Sequence, residues 1–465
     1  MGLHERLSPS PTLSNMAHGR MAAWTLATAA MLLALLAPAL WNGFPLIFPD
    51  TGGYLARPFD GTLEMGRSAF YGVFLALGLS FDFWPNVIAQ AALTIWIIVL
   101  TLRVHGLGGK PLLALGVVVF LAIGSALPWY VGQLMPDIFF PIAALAIYLL
   151  AFRRRELRNS EQAGLAAVII LTIPTHMALL ALCLGLVVAL LLLQLVAPLA
   201  RLLGLPRPRL MAAGMAVAAG IALCPLSNLA VTGKFAFTPG GESFLFGRLL
   251  EDGIVQRYLK EHCPDPALKL CAYADTLPNE ADDWLWANDT LFYKLGGWQG
   301  LGEEERRIIG GTLVSYPGEH IATAMRAVFW QLVLFKTDIT TNPWHNAPTV
   351  WVFERLTPDL LPRFRAARQQ AEPFDLTPTN FLHVPVAALA MAGLAAALVL
   401  RRRLHISPPA AALCATVLIA FVVNAVICGI FSHAADRYQS RLIPLAPLAL
   451  VIVALGRRAE LKLSS

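Results

Sequence analysis

Charge is what this sequence has least of. Only 14% of its 465 residues are Asp, Glu, Lys or Arg, while 57% are hydrophobic and the mean hydropathy is +0.63. Soluble domains carry about 25% charged residues, so an ordinary soluble fold is excluded. Also missing are a P-loop, a dinucleotide fingerprint, HExxH and GxSxG, which leaves cytoplasmic nucleotide chemistry without a footing. The net charge of +6 sits in short basic clusters between apolar runs. That is a topology signal and points away from nucleic acid.

What is present is a series of apolar runs approaching the ~20 residues needed to cross a bilayer. Examples are MAAWTLATAAMLLALLAPAL, MALLALCLGLVVALLLLQLV and ALCATVLIAFVVNAVICGIF. The expected fold class is an all-α polytopic membrane protein. The first run, 21–40, is longer than the apolar region of a cleaved signal peptide and is read as a retained anchor. Spans are expected near 21–41, 86–103, 111–128, 137–152, 162–175, 177–197, 210–230, 382–400, 409–431 and 442–456, about ten crossings. Placing RVHGLGGK, RRRELR, RLLGLPRPR, RRRLH and RRAELK on one side makes that side cytoplasmic, with both termini there, in a plasma (inner) membrane of multi-pass design.

Three parts are then expected: an N-terminal membrane module, 1–231, with its first outer loop at 42–70; an extracytoplasmic domain, 232–381, between the seventh and eighth spans; and C-terminal transmembrane helices, 382–465. The 320–335 stretch, HIATAMRAVFWQLVLF, is apolar but carries Arg326. A full crossing there would put RRRLH on the wrong side, so it is read as an interfacial or packed helix. Of six cysteines, four lie in apolar spans as small core residues. Cys263 and Cys271 fall in the polar outer segment. A disulfide between them fits an oxidising compartment, with free thiols as the alternative; CPDPALKLC offers too few soft ligands for a metal site.

Ionisable residues converge on the outer face from distant segments: Asp50, Tyr54, Arg57, Asp60, Glu64 and Arg67 in the first loop, Asp137, His176, then Glu242, Arg248 and the run from His433 to Arg441. Charge at membrane depth is costly and usually marks a cavity or pathway. Asp60, Glu64 and Arg248 are ordinary solvated flank residues on this reading. Asp50 and Asp137 differ, because each follows a proline at the apolar end of a span (FPD, MPD), where the helix breaks and holds the carboxylate at its edge. Arg437 and Arg441 are four apart and share a face if helical, as a phosphate or diphosphate clamp or as structural partners of nearby carboxylates. His176, alone in apolar sequence, reads first as a buried, hydrogen-bonded histidine.

Four segments resemble the GT-C superfamily of integral-membrane glycosyltransferases: PDTGGYL followed by GRSAFYGVFLALG, then MPDIFFPIAAL, and DRYQSRLIPLAP. The likeness runs from about residue 20 to 456 and is closest to the mannosyltransferase and aminoarabinose-transferase type. The family's commonest first motif is a pair of adjacent acids, whereas Asp50 is followed by Thr51. The resemblance implies a cell-envelope transferase using a polyprenyl-phosphate-linked sugar and a lipid, glycan or protein acceptor, with no certain cofactor and a possible divalent cation. Asp50 would be the catalytic base and Asp137 a second catalytic carboxylate. Tyr54, Arg57, Arg67, His176, Arg437, Tyr438 and Arg441 would bind substrate. The rival readings are a transporter or flippase, which would place its charges nearer the midplane and repeat its halves, and a non-catalytic polysaccharide-assembly partner.

Overall fold

A computed structural model describes residues 11–287, 289–343 and 348–464. The chain is 76% helical, with no strand among the described residues. Seven helices are long and apolar enough to cross a membrane, the construction of a multi-pass membrane protein: His18–Asn42, Trp84–Leu107, Met177–Leu195, Leu210–Thr232, Thr377–Val399, Pro408–Phe431 and Asp436–Gly456.

The first nine helices build the half that carries the first two acidic motifs. α1 (Pro11–Asn42) is an Ala- and Leu-rich run of strong helix formers. It stops at Gly43, where φ is +81°. α2 (Asp50–Asp60) begins directly after Pro49 and ends at Gly61 in the left-handed conformation. α3 (Ala69–Gly78) is capped by Ser68, whose hydroxyl accepts the Phe70 N–H. There follow α4 (Trp84–Leu102), α5 (Pro111–Gly124), α6 (Leu127–Gly132), α7 (Phe139–Phe152), α8 (Asn159–Thr172) and α9 (Met177–Leu195).

The crossings expected at 111–128, 137–152 and 162–175 meet shorter helices. The first is split: backbone at Ser125 is extended (φ −154°, ψ 171°), its hydroxyl turns back to the Leu121 carbonyl, and α6 starts afresh with Pro128 in its first turn. α7 has 14 residues and is buried from Phe139 to Ala151. At 1.5 Å per residue it is about 21 Å long, short of the ~30 Å hydrocarbon thickness. Surrounded by protein, it need not match the bilayer.

The middle segment packs in two places. Residues Phe246 to Tyr316 make a second apolar core of their own, with Phe246, Trp284, Phe292 and Ile308 fully buried, and Cys263 and Cys271 are disulfide-bonded at its edge. Ile339, Val350, Phe353, Leu360, Phe364 and Ala367 instead join the main core, where Phe353 and Phe364 lie edge-on to each other and Phe364 meets Phe44. Between them, the Pro317–Val333 helix lies against Pro408–Phe431, close enough that a Cβ on Gly429 would come within 2.9 Å of the Ala327 carbonyl. Its other face exposes Ile321, Met325 and Phe329 at four-residue steps.

Candidate functional site

Two loops, one before each proline–aspartate pair, meet. A parallel bridge joins Leu46 to Gln133: Leu46 N–H donates to the Gly132 carbonyl and Leu134 N–H to the Leu46 carbonyl, each at 2.9 Å. Thr51 completes the seam, accepting the Phe48 N–H and donating to the Leu134 carbonyl. The loop before Asp50 and the loop before Asp137 are therefore one structure. Gln369 clamps it from the other side through both the N–H and the carbonyl of Ile47.

The two glycines of PDTGGYL have separate steric reasons. A Cβ on Gly52 would lie 2.4 Å from the Thr349 Cα, and a Cβ on Gly53 would lie 2.3 Å from Arg67 Cδ. Thr349 fills the first space, accepting the Gly52 N–H at 3.1 Å and donating to the Pro49 carbonyl at 2.6 Å. Arg67 fills the second, and its Nη2 donates to Asp50 Oδ1 at 2.6 Å. Among the described residues no hydrogen bond reaches Asp50 Oδ2, and the side chain is 32% exposed. Gly72 plays the same part between α2 and α3, where a Cβ would sit 2.1 Å from the Tyr54 carbonyl.

Asp137 is built differently. Its carboxylate is fully buried and takes Arg437 side-on, Nε to Oδ1 at 3.2 Å and Nη2 to Oδ2 at 2.6 Å. Arg441 Nη1 adds a third bond to Oδ1 at 3.1 Å, and its Nη2 donates to Asn424 Oδ1 at 3.2 Å. Each guanidinium also lies on an aromatic face: Arg437 is 3.8 Å from the Phe48 centroid, and Arg441 is 3.3 Å from that of Phe140. The short helix Asp436–Ser440 that presents Arg437 is fixed by Tyr130, whose hydroxyl reaches the Arg437 carbonyl and Ser440 Oγ, and by Gln331, which bonds both polar groups of the Ala435 backbone. One negative and two positive charges leave this cluster net positive. Among the described residues Arg441 Nε has no hydrogen-bond partner although it is buried.

Tyr54 and His176 each feel the charges of both carboxylates. Burial, then the Asp50 charge, push the Tyr54 hydroxyl far above the usual tyrosine range, and Arg67, Asp137 and Arg437 all act on it. His176 feels the charges of Arg441, Asp137, Arg437 and Asp50. It caps α9, its Nδ1 accepting the Ala178 N–H at 3.0 Å, so any ring proton is on Nε2. The sequence-selected Asp50, Tyr54, Arg67, Asp137, His176, Arg437 and Arg441 therefore share one electrostatic neighbourhood. Tyr438 joins at its edge, 5.3 Å from the Arg441 guanidinium. Arg57 turns away: it donates to the Gly53 carbonyl and pairs with Glu64 at 3.0 Å and Asp60 at 3.5 Å, closing the C-terminal turn of α2.

Sequence reasoning passed over Phe48, Tyr130, Phe140 and Asn424. Phe48 and Phe140 stand in the same short strings as the two aspartates, and Asn424 is a polar residue inside an apolar run, a pattern that marks a functional position in a membrane helix. Among the described residues no group of three His, Cys, Asp or Glu side chains converges as a metal site. A groove of about 380 Å³ lined by Trp24, Leu32, Trp96 and Arg103 lies toward the other ends of α1 and α4. No protein-family model, no curated protein and no solved structure matches the chain.

Proposed function

We propose that the chain is a membrane glycosyltransferase of GT-C type. It moves a sugar from a polyprenyl-phosphate donor to an acceptor on the extracytoplasmic face of the plasma (inner) membrane. In this reading the seven long helices and three shorter ones make ten crossings, both termini are cytoplasmic, and residues 232–381 lie outside. The Pro317–Val333 helix then turns Ile321, Met325 and Phe329 toward lipid alongside the helix it packs on.

The observation that carries the reading is the inequality of the two carboxylates. Asp50 is partly exposed, with one oxygen held by Arg67 and the other unclaimed among the described residues. It suits a general base that takes the proton from an acceptor hydroxyl. Asp137 is buried under two arginines and is a positioning residue. Arg437 keeps Nη1 free of Asp137, and the cluster keeps a net positive charge, as a departing phosphate requires. The acceptor oxygen bonds to the anomeric carbon, the bond from that carbon to the phosphate oxygen breaks, and polyprenyl phosphate leaves with the electron pair. Any His176 proton on Nε2 and the Tyr438 hydroxyl are further donors for that anion. A lipid-borne donor reaches such a site sideways from the bilayer.

Asp50→Asn keeps shape and removes charge, so turnover with a polyprenyl-phospho-sugar in nanodiscs should fall about 10²–10⁴-fold. Donor binding should be retained. Arg437→Ala should weaken donor binding instead. Undiminished turnover by Asp50→Asn would remove the base assignment.

A further inference from the structure

We propose that Trp286 is the stacking platform for a sugar ring of the acceptor, which makes the acceptor a glycan. The inference rests on the glycosyltransferase reading and narrows its substrate.

Trp284 and Trp286 are two residues apart and have opposite fates. Trp284 is fully buried, packed on Phe246 and Phe292. Trp286 is 42% exposed. Its indole lies over the first loop, with the Arg67 guanidinium 5.5 Å from the ring centroid. The same guanidinium holds Asp50 at 2.6 Å, so the exposed ring is a single side chain away from the proposed base. The ring is also packed at its edges. Phe244 and Trp298 lie 6.0 and 5.7 Å from Trp286 and 5.6 Å from each other, and Trp298 is anchored on Phe292 of the second core at 4.9 Å. Gly66 locks the loop to this triangle, since its φ is +68° and a Cβ there would lie 3.3 Å from Phe244.

A large aromatic surface left in water opposes the hydrophobic effect unless something covers it. A pyranose supplies a matching cover: its C–H face is apolar and flat, and its hydroxyls point outward at the rim. Exposed Asp282 and Asp283, in the short helix before Trp286, and exposed Asp289 after it offer carboxylates that can accept hydrogen bonds from hydroxyls. The side of the site decides which sugar it is. The donor's phosphate belongs with Arg437, whereas Trp286 is linked through Arg67 to Asp50, which takes the acceptor's proton. A ring stacked there presents a hydroxyl toward Asp50, and a preorganised aromatic face orients it without loop ordering.

The test uses the full chain in nanodiscs, with methyl α-mannoside, methyl β-glucoside and methyl β-galactoside as probes in saturation-transfer NMR. In the unaltered protein at least one probe should receive saturation on the protons of a single ring face. Trp286→Ala should lower that signal about three- to tenfold and Trp286→Phe should keep part of it, the scale of one aromatic contact. Both variants are also melted, so that loss of folding is not mistaken for loss of the platform. Absence of saturation for all three probes, or equal saturation in the unaltered protein and Trp286→Ala, overturns the proposal. If the ring-face signal is lost in Trp286→Ala while no polyprenyl-phospho-sugar supports transfer, the platform stands and the transferase reading falls. If transfer proceeds and Trp286→Ala binds and reacts unchanged, the reverse holds.

Discussion

Asp50 and Asp137 each follow a proline at the end of an apolar run, yet the chain treats them oppositely. Asp137 accepts three hydrogen bonds from two guanidiniums; its own side chain and that of Arg441 are 1% exposed, that of Arg437 12%. Asp50 accepts one and keeps about a third of its surface exposed. Burying a carboxylate obliges the fold to surround it with cations and fix those cations in turn, here through Phe48, Phe140, Asn424 and Tyr130. A carboxylate left at the mouth needs only to be aimed, and Gly53 with Arg67 does that. The difference separates a residue that shapes the site from one that is free to take part in a reaction.

The strongest way to break this comparison is to remove Asp137. Asp137→Ala leaves Arg437 and Arg441 buried without their carboxylate. Breaking a buried pair by deleting one partner typically costs about 3–5 kcal/mol. The variant should melt far below the unaltered protein in the same detergent, or fail to accumulate. Unchanged melting would mean that the arginines find other partners or water, and Asp137 would lose its structural role.

A third carboxylate sharpens the comparison by having no arginine at all. Glu305 is fully buried in the second core, where Ser243 Oγ donates to its Oε2 and, among the described residues, no cation pairs with it. Burial, reinforced by the charges of Glu242 and Glu304, pushes its pKa up from 4.5 to about 7 despite the Ser243 and Trp284 contacts. A raised acid binds more protons folded than unfolded, so stability is greatest below about pH 4.5 and falls as pH rises through about 7. The loss is on the order of 3 kcal/mol. Glu305→Gln should flatten that slope and melt higher at pH 8. An unchanged pH slope in the variant would show that Glu305 stays ionised through the range.

Much of this was readable in the sequence because it depends on local composition. Apolar runs gave the long helices. Proline before aspartate gave both carboxylates, and the four-residue step gave Arg437 and Arg441. The ion pairs themselves were not readable, since Arg437 and Arg441 reach Asp137 across 300 and 304 residues and no local pattern encodes that choice. Arg57 shows the opposite failure: it stands in the right loop, but its nearest acids are Asp60 and Glu64, and a short reach wins. The split at Ser125 was hidden because hydropathy does not register an extended residue inside an apolar run. Nor could composition show that residues 348–364 fold back beneath Asp50, where Thr349 closes on Gly52.

The smallest expected effect is the most discriminating. Asp50→Asn removes one ion pair between groups that are 15% and 32% exposed, and partly solvated pairs contribute about 0–1 kcal/mol. The asparagine oxygen can still accept from Arg67, Thr349 still holds Pro49 and Gly52, and Thr51 still ties the loop to Leu134. The melting temperature should therefore move by no more than about 2–4 °C, while Asp137→Ala is strongly destabilised under the same conditions. Should Asp50→Asn melt as low as Asp137→Ala, the two carboxylates would both be structural. The free oxygen of Asp50 would then be a by-product of its surroundings, and the base would have to be sought elsewhere on the outer face.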